Sequence, residues 1–211
     1  MEDNDILEEV KRKRGYLLSY HRMLGHTDPQ LLSAYDNFYE NLTLVPRALS
    51  PQQRELVWAG LLAATREKEG KLHMRRAVEV GLSGESLCCA VSLAGVAESL
   101  EAIRFGYHHW GEWIPQSPAE QRYRQLVDVA RGNIDPETTE LILIVCHAAQ
   151  RREFGMHLHL GRAFSSGVTV AKLSEGLSYL LLPCGGPTLI EAVNVWERAS
   201  DAGECPSPFS D

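Results

Sequence analysis

Two segments of this 211-residue chain carry the same spaced motif, and this repetition constrains the fold more than any other feature. The motif is His-x-x-x-Ala-x-x-x-Gly, at residues 73–81 and 159–167. A spacing of four residues places the histidine, alanine and glycine along one stripe of a helix. Glycine at the end of the stripe accepts the left-handed conformation that commonly ends a helix. The motif therefore predicts the same helical element in each half of the chain.

Two further matches flank the motif in the same order. Residues 50–56 and 135–141 each begin with a capping residue and a proline, which is typical of a helix start, and each carries a glutamate. The sequence Leu-Glu-Ala-Ile at 100–103 is echoed by Ile-Glu-Ala-Val at 190–193. Three ordered matches predict an internal duplication.

The duplication suggests how the chain is divided. We predict a helical N-terminal extension over 1–28, a first repeat over 29–113 and a second repeat over 114–202. The proline-containing stretch 110–118 reads as the link between the repeats, because proline interrupts a helix. Residues 203–211 are rich in glycine, proline and serine, so we expect a flexible tail.

The apolar residues indicate an all-α fold. Almost every apolar segment has helical length and spacing, and no sustained alternation of apolar and polar residues suggests a sheet. With 44% hydrophobic residues, 211 residues are enough to bury a core. We expect two tandem helical repeats packed as one compact unit.

The net charge and the cysteines of the chain indicate which kinds of binding partner and which cellular compartment to expect. The formal net charge of −7 argues against nucleic acid and anionic membrane surfaces, and the basic run at 11–14 is expected to be a solvated helix face. We find no apolar run of about 18 residues and no signal-peptide pattern. Five cysteines without C-x-x-C spacing suit reduced thiols in a cytoplasmic protein.

A glutamate-bearing helix followed by His-x-x-x-Ala-x-x-x-Gly resembles the carboxymuconolactone decarboxylase and alkylhydroperoxidase D-like superfamily. The resemblance spans most of both repeats. Glu140 and His159 match the family pattern, and Glu55 and His73 are their counterparts in the first half. The resemblance implies helical repeats of the alkylhydroperoxidase D-like type and assembly into a homo-oligomer, either a dimer or a trimer.

The redox-active cysteine pair of the peroxidase members is missing. Their two cysteines precede the histidine by seven and four residues, where this chain has Arg152 and Gly155, or Arg66 and Glu69 in the first half. Thiol peroxidase chemistry needs a thiolate and a resolving thiol. We therefore expect no such activity here.

The resemblance instead implies a cofactor-free lyase, a decarboxylase acting on a small organic acid or lactone. Loss of carbon dioxide leaves a carbanion or dienolate that must be stabilised and reprotonated. We expect His159 to donate the proton, with Glu140 or Glu153 orienting it. His157 or Arg152 would anchor the substrate carboxylate. In the first half, His73 and Glu69 are candidate substrate-binding residues.

Other interpretations of these residues stay open from sequence. His159 could be a buried histidine with satisfied hydrogen bonds, and Glu140 could be a charge that complements a helix dipole. The whole chain could be a non-catalytic scaffold that binds a ligand or forms an oligomer. Glu153, His157 and His159 could form a site for a metal-dependent hydrolase, although their spacing matches no strong zinc signature and we predict no metal. The aromatic stretch 105–113 suits a pocket wall or an oligomer contact equally well.

Overall fold

The computed structural model describes residues 3–210, with side chains from Ile6 onward, and these residues form eleven α-helices and no strand. The all-α prediction is confirmed. By their internal contacts, the described residues up to Val45 form one compact unit and those from Pro46 onward form a second.

The N-terminal unit contains three helices: α1 (Asp3–Arg14), α2 (Ser19–Thr27) and α3 (Pro29–Thr43). Its small core is formed by Ile6, Val10 and Leu32. The expectation of a solvated basic run is wrong at its last residue. Arg14 is buried and pairs with the Asp36 carboxylate at 2.7 Å, because a buried guanidinium needs a carboxylate partner.

The second unit contains the other eight helices and two short 3₁₀ turns at 68–70 and 179–181. The helices are α4 (Pro51–Thr65), α5 (Lys71–Glu79), α6 (Gly84–His109), α7 (Gln116–Arg131), α8 (Pro136–Ala149), α9 (Glu153–Ser165), α10 (Val170–Ser178) and α11 (Gly186–Asp201).

The predicted helix boundaries of the repeats are confirmed. Ser50 caps α4 by accepting from the backbone N–H of Gln53, and Asp135 caps α8 by accepting from that of Thr138. Gly81 and Gly167 follow α5 and α9 with φ angles of +85° and +98°. In this left-handed region a residue with a side chain would be strained.

The equivalent helices α4 and α8 pack directly against each other at the centre of the unit. Gly60 of α4 permits this approach, because a Cβ atom at this position would lie 2.6 Å from Cγ2 of Ile142 in α8. From Glu55 to Leu62 in α4, and from Thr138 to Ala148 in α8, every residue is buried. Glu55 and Glu140, the glutamates that precede the histidine motif in each repeat, therefore lie on core helices.

Helix α6 is the longest element, with 26 residues, and it packs against α4, α7 and α8. By length and composition alone, it is the one helix within residues 3–210 that could cross a membrane, and 28% of its most apolar window is buried. This corrects the expectation that no segment reaches the length and apolar character of a membrane span, because the few charged residues of α6 lie outside that window or are too sparse to interrupt it. The link between the repeats is shorter than predicted. It spans residues 110–115, and Pro118 lies in the first turn of α7, where proline costs no helical hydrogen bond.

Candidate functional site

In the second repeat, the predicted glutamate and histidine form a buried hydrogen-bonded pair. Nδ1 of His159 in α9 lies 2.6 Å from Oε2 of Glu140 in α8. Because an ionised carboxylate can only accept, Nδ1 carries the proton. Nε of Arg162, one turn after the histidine, donates to the other carboxylate oxygen at 2.9 Å.

Tyr123 of α7 contacts the ring nitrogen of His159 that does not face Glu140. Its hydroxyl lies 2.8 Å from Nε2 of His159 and 3.3 Å from Nε2 of His147. His159 has no solvent exposure, and both of its ring nitrogens are hydrogen-bonded. A substrate can reach this imidazole only by displacing the tyrosine.

The protonation states follow from burial and from these hydrogen bonds. Burial tends to raise the pKa of Glu140, but His159 and Arg162 outweigh it and hold that pKa below its ordinary value. Burial raises the pKa of the Tyr123 phenol, so the phenol stays protonated and can donate to His159. Glu140 therefore remains ionised within the buried network.

His147, unlike His159, has a buried ring nitrogen that makes no hydrogen bond. Burial, with the nearby His159 and Arg152, holds its pKa well below the ordinary value of 6.5. Its Nδ1 is buried without a hydrogen-bond partner. At the same position of the first repeat, seven residues after the motif glutamate, the chain has Leu62.

Replacing His147 by leucine is expected to flatten the pH dependence of stability. A histidine whose pKa is depressed in the folded state contributes stability above its unfolded pKa, and this contribution is lost as the pH falls. As the pH falls from 7 to 5, the wild-type protein should therefore lose more unfolding free energy than His147→Leu, by up to about 1.4 kcal/mol for each pH unit below the unfolded pKa of about 6.5. Urea unfolding at pH 7, 6 and 5 measures the difference. Parallel pH profiles for the two proteins would contradict a neutral, buried His147.

The first repeat holds a second pair of the same kind. Nδ1 of His73 in α5 lies 3.1 Å from Oε2 of Glu55 in α4, and Nε of Arg54 donates to Oε1 at 3.1 Å. The His73 ring stacks on Trp58, with 4.3 Å between ring centroids. Among the described residues, no hydrogen bond engages Nε2 of His73. This second ring nitrogen is what distinguishes the two pairs.

The electrostatic surroundings of His73 favour its neutral form. Burial lowers its pKa, the Glu55 carboxylate opposes this shift, and the positive charges of Arg76 and Arg54 lower the pKa further. Those same charges would attract a substrate carboxylate. The first-repeat pair thus combines an imidazole that lacks a tyrosine partner with two arginines in its electrostatic environment.

Sequence reasoning missed the arginine and the tyrosine of the second-repeat network. Arg162 and Arg76 each follow the motif histidine by three residues, so the shared pattern His-x-x-Arg-Ala was available in the sequence. Tyr123 had no comparable signal. Tyr123 lies 17 residues before Glu140, and it reaches His159 because α7 packs on α6 with this side chain turned toward the pair.

Two other predicted catalytic residues do not join His159. Glu153 binds Arg198 at 2.6 Å, and His157 binds Glu204 at 2.8 Å. Gly155 follows in the segment Glu-x-Gly (153–155) without interrupting the helix, because α9 is continuous from Glu153. His157 is exposed and His159 is buried because residues two apart in a helix point in different directions.

The alternative metal site is not assembled. In residues 3–210 no group of three or more histidine, cysteine, aspartate or glutamate side chains is placed to hold a metal ion. The ring of His159 is already engaged by Glu140 and Tyr123. Glu153, His157 and His159 therefore do not form the triad considered from sequence.

The predicted substrate-binding residues are distributed over different places. Arg152 donates to the carbonyl of Ala97 at 3.3 Å and borders an open cleft. Glu69 lies in the 3₁₀ turn before α5 and pairs with Lys71 at 3.1 Å. Of this predicted group, only His73 belongs to a glutamate–histidine pair, and its role as a substrate-binding residue stays a prediction.

Comparison with known proteins identifies the repeat. The family model described as "Carboxymuconolactone decarboxylase family" matches residues 29–108 and again 118–198, which confirms the duplication. A solved structure from Burkholderia xenovorans LB400, named as a candidate gamma-carboxymuconolactone decarboxylase subunit, is similar with a TM-score of 0.58 and 18% identity. The alignment covers 96% of this chain and 99% of that one. No curated protein matches.

Proposed function

Because the chain belongs to the carboxymuconolactone decarboxylase family, we propose that it is a cofactor-free lyase acting on a small organic acid or lactone. We further propose that proton transfer takes place at the first-repeat pair, Glu55 and His73. The observation that carries this assignment is the Nδ1 bond to Glu55 in a pair whose Nε2 has no tyrosine partner.

The geometry supports acid–base chemistry at His73. Glu55 fixes the proton on Nδ1 and orients the ring, so that Nε2 is the atom that exchanges protons. When the carbon–carbon bond to the carboxylate breaks, its electron pair passes into an enolate. Protonated Nε2 delivers a proton to the enolate carbon and recovers one from water.

The neighbouring charges support the same step. Arg54 and Arg76 act electrostatically on His73, so they would also stabilise the negative charge that develops when carbon dioxide leaves. Trp58 provides a flat apolar wall against the imidazole. Because the pKa of His73 is lowered, its protonated form is a stronger acid than free imidazolium. We expect turnover to increase as the pH falls below about 6.5, because only then does the protonated form of His73 accumulate.

The second-repeat pair is better suited to holding the helices together. His159 is fully buried, and its two nitrogens bind Glu140 and Tyr123. This arrangement satisfies a buried polar side chain without leaving an atom for a substrate. We therefore assign the second pair a structural role, which revises the expectation that His159 donates the proton.

The assignment is tested by measuring carbon dioxide release from a panel of lactone acids and unsaturated carboxylic acids. We expect His73→Ala to reduce turnover by a factor on the order of 10² to 10⁴. His159→Gln is the matched variant in the second repeat and should retain turnover, provided that circular dichroism shows a folded protein.

Each other outcome contradicts a stated part of the proposal. Loss of turnover in His159→Gln but not in His73→Ala would place the site in the second repeat. If no compound in the panel releases carbon dioxide with the wild-type protein, the lyase assignment fails, and a non-catalytic ligand-binding or oligomeric scaffold becomes the better explanation.

A further inference from the structure

An open cleft of about 610 Å³ lies beside the N-terminus of α9, and no residue of either glutamate–histidine pair lines it. Residues of α6, α9 and α11, and of the connection before α9, line it. Four of these residues are arginines and two are glutamates: Arg104, Arg151, Arg152, Arg198, Glu101 and Glu153. On a chain of net charge −7, this is a local concentration of positive charge.

Two of the arginines are already neutralised by carboxylates. Arg198 binds Glu153 at 2.6 Å, and Arg151 binds Glu191 at 3.2 Å. Within the part of the chain that the structure describes, Arg104 and Arg152 have no carboxylate partner. Arg152 uses one N–H for the carbonyl of Ala97, so most of its five donors remain for another acceptor.

The backbone adds further donors at the same place. Helix α9 begins at Glu153, and the side chain of its N-cap residue, Arg152, makes no capping hydrogen bond. The first N–H groups of a helix have no acceptor within the helix and favour an anion. Phe154, which Arg104 covers at 4.5 Å, and Val195 provide apolar surface beside these donors.

The first repeat shows that the fold does not require this charge. The step from Glu55 to His73 is one residue shorter than that from Glu140 to His159, so the repeats are aligned here by backbone conformation: Arg66 and Arg151 each lie eleven residues after the glutamate, and each has a positive φ angle. The following residue is Glu67 in the first repeat and Arg152 in the second. The same backbone position thus accepts either sign of charge, and the arginine is specific to the second repeat.

We infer that this cleft is a binding site for a small organic dicarboxylate. Arg104 and Arg152 would each hold one carboxylate, since a guanidinium fork matches carboxylate geometry. The apolar surface of Phe154 and Val195 would contact the body of the molecule. No residue of either glutamate–histidine pair lines the cleft, so this site does not depend on the proposed lyase activity.

Isothermal titration calorimetry at low ionic strength tests the site, with succinate and phthalate as probes and the neutral diamide of succinate as a negative control. We expect saturable binding of at least one dicarboxylate and none of the diamide. The double variant Arg104→Gln/Arg152→Gln should weaken binding by about tenfold or more. Arg122→Gln/Arg124→Gln removes two exposed charges from α7 and serves as the matched control.

A gain of affinity provides a second, independent readout. Glu153→Gln removes a negative charge from the cleft and releases Arg198, so binding should become several-fold tighter. The absence of saturable binding by the wild-type protein would overturn the inference. So would equal weakening by the α7 variant, because any loss of positive charge would then have the same effect.

Discussion

Replacing Gly155 by alanine is expected to lower the free energy of unfolding by about 3 kcal/mol, because the added methyl group overlaps a buried ring. A Cβ atom at this position would lie well inside 3.0 Å of the His147 imidazole, a separation that real Cβ atoms essentially never show. His147 is 0% exposed, so the ring has no solvent-filled space into which it can move.

The same helix offers a matched control. Gly161 also lies in α9, and its nearest neighbour would be a backbone oxygen at 3.8 Å from an added Cβ, which is an ordinary contact. Gly161→Ala should therefore stabilise the protein by about 0.5–1 kcal/mol through helix propensity. Chemical denaturation of both variants measures the contrast.

A double variant identifies the cause of the destabilisation. In a His147→Ala background, Gly155→Ala should cost much less than in the wild type, because the overlapping ring is gone. If Gly155→Ala proves as stable as Gly161→Ala, then Gly155 is not required for the close packing of α9 against His147 of α8.

The second large effect is expected for Glu140→Ala, which should lower the free energy of unfolding by about 3–5 kcal/mol. The substitution leaves Nδ1 of His159 buried without its acceptor and removes the partner of Arg162. Breaking one side of a buried charged network costs more than the network contributes as a whole, since the remaining polar group stays desolvated.

Glu137→Ala is the control in the same helix. Glu137 pairs with Lys172, and both side chains are partly exposed, so its loss should cost only about 0–1 kcal/mol. Thermal or urea unfolding at pH 7 compares the two variants. Equal losses of unfolding free energy in the two variants would contradict the prediction that the buried Glu140 pair stabilises the protein more than an exposed ion pair does.

The pH dependence of the Glu140 effect has a defined sign. The pKa of Glu140 is lowered in the folded state. Its stabilising contribution is therefore present above the unfolded pKa and is lost as the pH falls through the folded value. The difference between wild type and Glu140→Ala should shrink below about pH 4.5. A constant difference down to pH 3 would contradict an ionised, hydrogen-bonded Glu140.

Much of the candidate site could be read from spacing within single helices. The glutamates and histidines stand out in the sequence because they recur in the same order in both repeats and match the pattern of the family. Both pairs form in the structure. Glu153 and His157 are close to His159 in sequence, which favours a shared site. In a helix, however, side chains two or six residues apart point in different directions, so neither residue reaches the ring of His159.

The all-α class, the helix starts at Ser50 and Asp135 and the helix-ending Gly81 and Gly167 are predictable from sequence because they depend on local backbone chemistry, and the duplication is predictable because its patterns recur in order. Which histidine keeps a ring nitrogen without a hydrogen bond depends instead on how the helices pack. The Tyr123 side chain reaches His159 from α7, a helix that packs against α6, whereas the ring of His73 stacks on Trp58. Such contacts join residues far apart in the chain, and no local pattern encodes the direction from which a neighbouring helix arrives.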